Sequence, residues 1–71
     1  MEKEIQDKLL HKLNTLIYYY MQHGTHKSSF NTACNWISQA QKYCRYRGWE
    51  SMAWLMAHKW GAACNIMMEA K

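Results

Sequence analysis

The spacing of hydrophobic residues divides the chain into three segments. In each, large apolar side chains recur at steps of three and four residues, which is the pattern of an amphipathic helix with one buried face. The sequence predicts helices over residues 2–23, 29–47 and 50–70. The inward positions, in chain order, are Ile5, Leu9, Leu13, Leu16, Tyr20, Phe30, Ala33, Ile37, Ala40, Cys44, Trp49, Met52, Ala53, Met56, Trp60, Ala63, Cys64 and Met67.

Residues that end and start helices stand between these segments. Gly24 and Gly48 follow the first two, where glycine readily takes the left-handed conformation that terminates a helix. Ser28 or Ser29 is expected to cap the second helix. Because the connections are short, consecutive helices should be antiparallel neighbours. The predicted fold is therefore all-α, a single three-helix domain over residues 1–71.

Composition limits what this domain can be. Of 71 residues, 49% are hydrophobic, including four Trp, five Tyr and six Met. A chain this short buries only about 60% of its unfolded surface, so we expect association or very apolar helix packing to stabilise it. The longest apolar run, residues 16–21, is too short to span a membrane, and the amino end lacks the features of a secretory signal. Three cysteines without a CxxC pair fit a cytoplasmic protein.

Charge is distributed unevenly along the chain. The formal net charge is +4, and the 42 residues between Asp7 and Glu50 contain no acidic residue. This acid-free block carries six cations, Lys8, Lys12, Lys27, Lys42, Arg45 and Arg47. Such a distribution steers a protein towards an acidic partner, either protein or nucleic acid.

A repeat-like pattern links the first and third helices. The segment 49–56 reads W-x2-M-A-x2-M and resembles the tetratricopeptide pattern W-x2-L-G-x2-Y. The segment 13–20 reads L-x2-L-I-x2-Y and begins 36 residues earlier, close to that family's repeat length. The resemblance implies a tetratricopeptide-like antiparallel helical hairpin followed by a third helix. Since solenoids generally need about three repeats, one face should remain uncovered, and we expect a homodimer or a partner protein.

A second resemblance concerns function. Small bacterial regulators of the AraC negative regulator (ANR) and PerC-like families have a similar order of aromatic, small and bulky residues in a helical hairpin, with a Trp opening the next helix. The matching residues here are Phe30, Ala33, Cys34, Ile37, Ala40, Cys44 and Trp49. The resemblance implies a non-enzymatic regulator that binds a transcription factor and alters its activity.

Several large side chains lie off the buried stripes and are candidates for partner binding. Trp and Tyr are favoured interface anchors, and arginines often form the charged rim around them. The predicted partner-binding residues are Trp54, Tyr18, Tyr19, Arg45, Tyr46 and Arg47. For Trp54 there is a structural alternative, in which the ring covers an adjacent loop or the first helix.

Two other functions fit the same features. The segment 42–47 interleaves cations with aromatic residues, as phosphate contacts combined with base stacking require, so direct nucleic-acid binding is one alternative. Cations at a helix carboxyl end also complement the helix dipole without any ligand. An inhibitor of a host protein, encoded by a phage or mobile element, is the other alternative.

Catalytic and metal sites are not predicted. The four His and three Cys lack zinc-finger spacing. His58 and Cys64 point about 120° apart on a helix, which separates a thiol from its potential base. We therefore expect no cofactor, no bound metal and no enzymatic activity.

Overall fold

Three α-helices make up the part of the chain that the computed structural model describes, residues 1–69. They are α1 (Glu2–His23), α2 (Ser29–Tyr46) and α3 (Glu50–Glu69). This confirms the all-α class and the three predicted segments. Helix α2 ends one residue earlier than predicted, and residue 70, the predicted end of the third helix, lies outside the described residues.

The helices alternate in direction. At one end the rings of Tyr20, Phe30 and Trp60 meet, with ring centroids 5.2 Å apart for Tyr20–Phe30 and 5.7 Å apart for Phe30–Trp60. At the other end Gln6 in α1 lies beside Trp49, directly before α3. Helix α2 therefore runs against α1 and α3, and the bundle, 39 × 16 × 16 Å, is about one helix long.

The core follows the predicted stripes closely in α2 and α3. In α2 all predicted positions are buried except Phe30, which is half-buried. In α1 only Leu13 and Tyr20 are fully buried, and the other stripe residues are half-buried. The buried residues are Leu13, Tyr20, Ala33, Ile37, Ala40, Cys44, Met52, Ala53, Met56, Trp60, Ala63 and Met67.

Packing among the helices is unequal. Helices α2 and α3 pack most extensively, α1 packs against α3 less, and α1 and α2 contact each other least. The tetratricopeptide resemblance implies that α1 and α2 form a closely packed hairpin. That the pair has the geometry of a tetratricopeptide hairpin stays a prediction. The limited contact leaves a groove between α1 and α2 on the side of the bundle away from α3.

The predicted stop signals are confirmed, but the predicted cap is wrong. Gly24 and Gly48 have φ of +87° and +81°, and the Gly24 N–H donates to the Tyr20 carbonyl at 2.9 Å. Ser28 stands at the N-cap of α2 but already has helical backbone angles, and its side chain makes no capping hydrogen bond. The Ser29 hydroxyl instead pairs with the Tyr20 hydroxyl at 2.7 Å, which ties the start of α2 to the end of α1.

Candidate protein-binding surface

A groove runs between α1 and α2. We call it the α1–α2 groove; it is open to solvent, has a volume of about 260 Å³, and is lined by Lys12, Leu16, Tyr20, Ser29, Thr32, Ala33 and Trp36. Its floor is apolar, because Tyr20 and Ala33 belong to the core and Leu16 and Trp36 pack against that core. Leu16 and Trp36 keep part of their surface exposed. This groove is therefore an apolar surface that a second element could cover.

A cation is fixed at the edge of the groove. The Lys12 ammonium nitrogen lies 4.7 Å from the centroid of the Trp36 ring, within cation–π range. The lining contains no Asp or Glu. Lys12 remains exposed, so its charge is available to a ligand lying in the groove.

A second cluster lies where α2 ends and α3 begins. The Arg47 guanidinium is 4.7 Å from the Trp49 ring centroid and donates to the Tyr43 hydroxyl at 2.8 Å. Arg45 and Tyr46 are exposed beside it, Tyr46 to 87%. We call these five residues, 43, 45–47 and 49, the basic–aromatic end. Arg47 is therefore held in place by the rings of Tyr43 and Trp49, whereas the ring of Tyr46 extends into solvent.

The structure brings together only some of the predicted partner-binding residues. Arg45, Tyr46 and Arg47 share the basic–aromatic end. Tyr19 lies near the opposite end of the bundle, with its ring 4.4 Å from that of His23. Tyr18 is 67% exposed on the outer surface of α1.

Trp54 lies apart from that cluster, on the outer face of α3. It is 62% exposed, and its ring stacks on His58 with centroids 4.6 Å apart and planes 14° apart. Its ring therefore rests on its own helix, which rules out the alternative in which it covers a loop or the first helix.

Sequence reasoning missed the groove residues Lys12 and Trp36. They are 24 positions apart and on different helices, so no spacing within one helix connects them. The sequence offered two signals: Lys12 stands next to Leu13, an apolar position of α1, and Trp36 stands next to Ile37, an apolar position of α2. Their pairing becomes visible only when the two helices lie side by side.

Two of the three thiols, those of Cys44 and Cys64, are disfavoured as nucleophiles. Burial raises the pKa of the Cys44 thiol, and burial together with neighbouring Cys34 raises the pKa of Cys64. A raised pKa keeps a thiol protonated at neutral pH, whereas nucleophilic catalysis requires the thiolate. Within residues 1–69, no three His, Cys, Asp or Glu side chains are grouped closely enough to hold a metal ion.

The three helices are also unsuited to crossing a lipid bilayer. As far as the chain is described, none combines the length and apolar character that a membrane span needs.

Comparison with known proteins found no matching family model, no similar curated protein and no similar solved structure.

Proposed function

We propose that this chain is a small, non-enzymatic regulatory protein that acts by binding another protein. The observation that carries the proposal is the α1–α2 groove, whose apolar floor has a fixed cation at its edge and no carboxylate in its lining. A transcription factor is the partner class implied by the resemblance to ANR and PerC-like regulators. An inhibitor of a host protein would use the same groove, and the identity of the bound protein distinguishes the two roles.

The shape and charge of the groove favour an acidic amphipathic helix as ligand. Two helices packed side by side form a channel into which a third helix can place its apolar face. Lys12 would then face the polar side of that helix, where a carboxylate complements the ammonium group. The net charge of +4 would also accelerate the encounter with an acidic partner.

Direct nucleic-acid binding is a second candidate because of the basic–aromatic end. Tyr46 is 87% exposed next to two arginines, so its ring is free to stack on an unpaired base. However, Arg47 is already engaged by Tyr43 and Trp49, and three nearby cations form a small footprint for phosphates. The groove lining instead combines apolar side chains with an exposed cation, which suits a protein ligand.

The proposal is tested by affinity capture from a cell lysate, followed by titration of the captured protein. Lys12→Glu should weaken binding at least about tenfold, which corresponds to 1.4 kcal/mol, because it places a carboxylate against an acidic ligand. Lys3→Glu is the matched control, since it makes the same charge change on an exposed position of α1 outside the acid-free block. That variant should bind within about twofold of the unmodified protein.

Two results would contradict the proposal. One is equal binding by both variants, which would place the interface away from the groove. The other is tight binding to generic duplex DNA with a steep salt dependence and no captured protein, since phosphate contacts give that salt slope. The second result would favour the basic–aromatic end as a nucleic-acid site.

A further inference from the structure

Between its end residues, Glu50 and Glu69, the outer face of α3 is an exposed helical surface without charge. Trp54, Gly61 and Met68 are spaced seven residues apart, so they lie along one face, as the positions of a heptad do. Trp54 and Met68 are 62% and 56% exposed. Residues 51–68 contain one charged side chain, Lys59, and it turns towards α1, where its ammonium donates to the Asn14 side chain at 3.2 Å.

The glycine at the centre of this face is not required by the fold. Gly61 lies in the middle of α3, where glycine is the least favourable residue except proline. A Cβ added there would meet nothing within 4 Å. Its φ is not positive, so the backbone does not need glycine either. What a glycine on a helix surface does provide is room for another backbone to approach closely.

We propose that this face binds a second copy of the same chain, with the two α3 helices antiparallel and a two-fold axis passing through Gly61. Antiparallel pairing about position 61 places residue 61−k opposite residue 61+k of the second copy. Trp54 therefore packs on Met68 of the second copy, and Ala57 faces its Asn65. The contact is self-complementary, as a two-fold interface must be, and its central part, between residues 54 and 68, contains only one charged residue, Lys59, which is directed to α1.

The available area sets the strength of this association. The Cα atoms of the bundle span 39 × 16 Å on its long side, so a contact of that size buries about 1,200 Å² in total from two copies, near the lower limit for a specific interface. We therefore expect a weak dimer whose population depends on concentration. This inference goes beyond the proposed function, because the α1–α2 groove is on the opposite side of the bundle and remains open in the dimer.

Sedimentation equilibrium over micromolar to millimolar concentrations tests the interface. The unmodified chain should shift from monomer to dimer, and Gly61→Lys should weaken dimerisation at least about tenfold because two ammonium groups meet at the axis. Gln39→Lys, which adds the same charge on an exposed position of α2, should dimerise like the unmodified chain. Circular dichroism checks that each variant is folded, which the open space around Gly61 favours. A chain that stays monomeric, or equal dimerisation of the two lysine variants, would overturn the proposal.

Photo-crosslinking tests the antiparallel register without disturbing the axis. Benzoylphenylalanine is introduced in place of Trp54, and crosslinked peptides are mapped. Positions 54 and 68 are about 21 Å apart along one helix, so a link between them must join two copies. The expected product joins residue 54 to the segment around Met68. Links from residue 54 to residue 54, or only to a different protein in a lysate, would refute this arrangement.

Discussion

Helix α1 should be held to the bundle mainly by two side chains, and Leu13→Ala tests this. Leu13 is 0% exposed, and Tyr20 is the one other fully buried residue of α1. Truncating a fully buried Leu to Ala costs about 2–5 kcal/mol, depending on how far the cavity collapses. A 71-residue domain has a total stability of roughly 4–10 kcal/mol. The substitution should therefore remove about half of the free energy of unfolding.

The assay is urea unfolding followed by circular dichroism, with Leu10→Ala as the control. Leu10 is on the same helix but half-buried, so its truncation should cost distinctly less than that of Leu13. Native-state hydrogen exchange should also show the α1 amides of Leu13→Ala opening before those of α2 and α3, because α2 and α3 share the most extensive packing. Equal costs for the two variants, or uniform exchange across all three helices, would refute this account of how α1 is held.

Two further predictions concern polar groups in the core region. Tyr20→Phe should lower the free energy of unfolding by about 1 kcal/mol, because it removes the hydrogen bond to Ser29 and keeps the ring. Adding Ser29→Ala should then cost little more, and full additivity in urea unfolding would show that the two hydroxyls do not interact. The free energy of unfolding should also fall as the pH rises above about 8.5, since burial raises the folded-state pKa of Cys44 and the unfolded chain ionises first. Cys44→Ala should be less stable at neutral pH. Its free energy of unfolding, measured with urea, should then decrease less between neutral and alkaline pH than that of the unmodified chain. If the variant and the unmodified chain lose the same amount of stability at alkaline pH, groups other than Cys44 cause the loss.

Hydrophobic periodicity was sufficient to predict the helices and much of the core. This worked best in α2, where small and large apolar residues alternate on one narrow stripe from Ala33 to Cys44 and are all buried. Periodicity cannot show which pair of helices packs least, because that depends on side-chain volumes meeting across the bundle. The α1–α2 groove and the contact between Lys12 and Trp36 were therefore not predictable. The predicted serine cap is absent for two reasons: Ser28 has helical backbone angles, and the Ser29 hydroxyl is hydrogen-bonded to Tyr20 on another helix.

The alternating direction of the helices has an electrostatic consequence. Glu2 and Glu4 begin α1, and α2 ends at the same end of the bundle, with Arg45 in its last turn and Arg47 directly after it. Carboxylates more than 40 positions from these arginines in sequence are therefore brought to the same end of the bundle in space. At 0.01 M ionic strength the Debye length is about 30 Å, which exceeds the 16 Å width of the bundle, so these charges partly neutralise one another. At physiological ionic strength it falls to about 8 Å, and the charges are largely screened from one another. At low ionic strength, an acidic ligand that reaches this end competes with the carboxylates of Glu2 and Glu4. The salt dependence of its binding should thus be shallower than six cations alone would give.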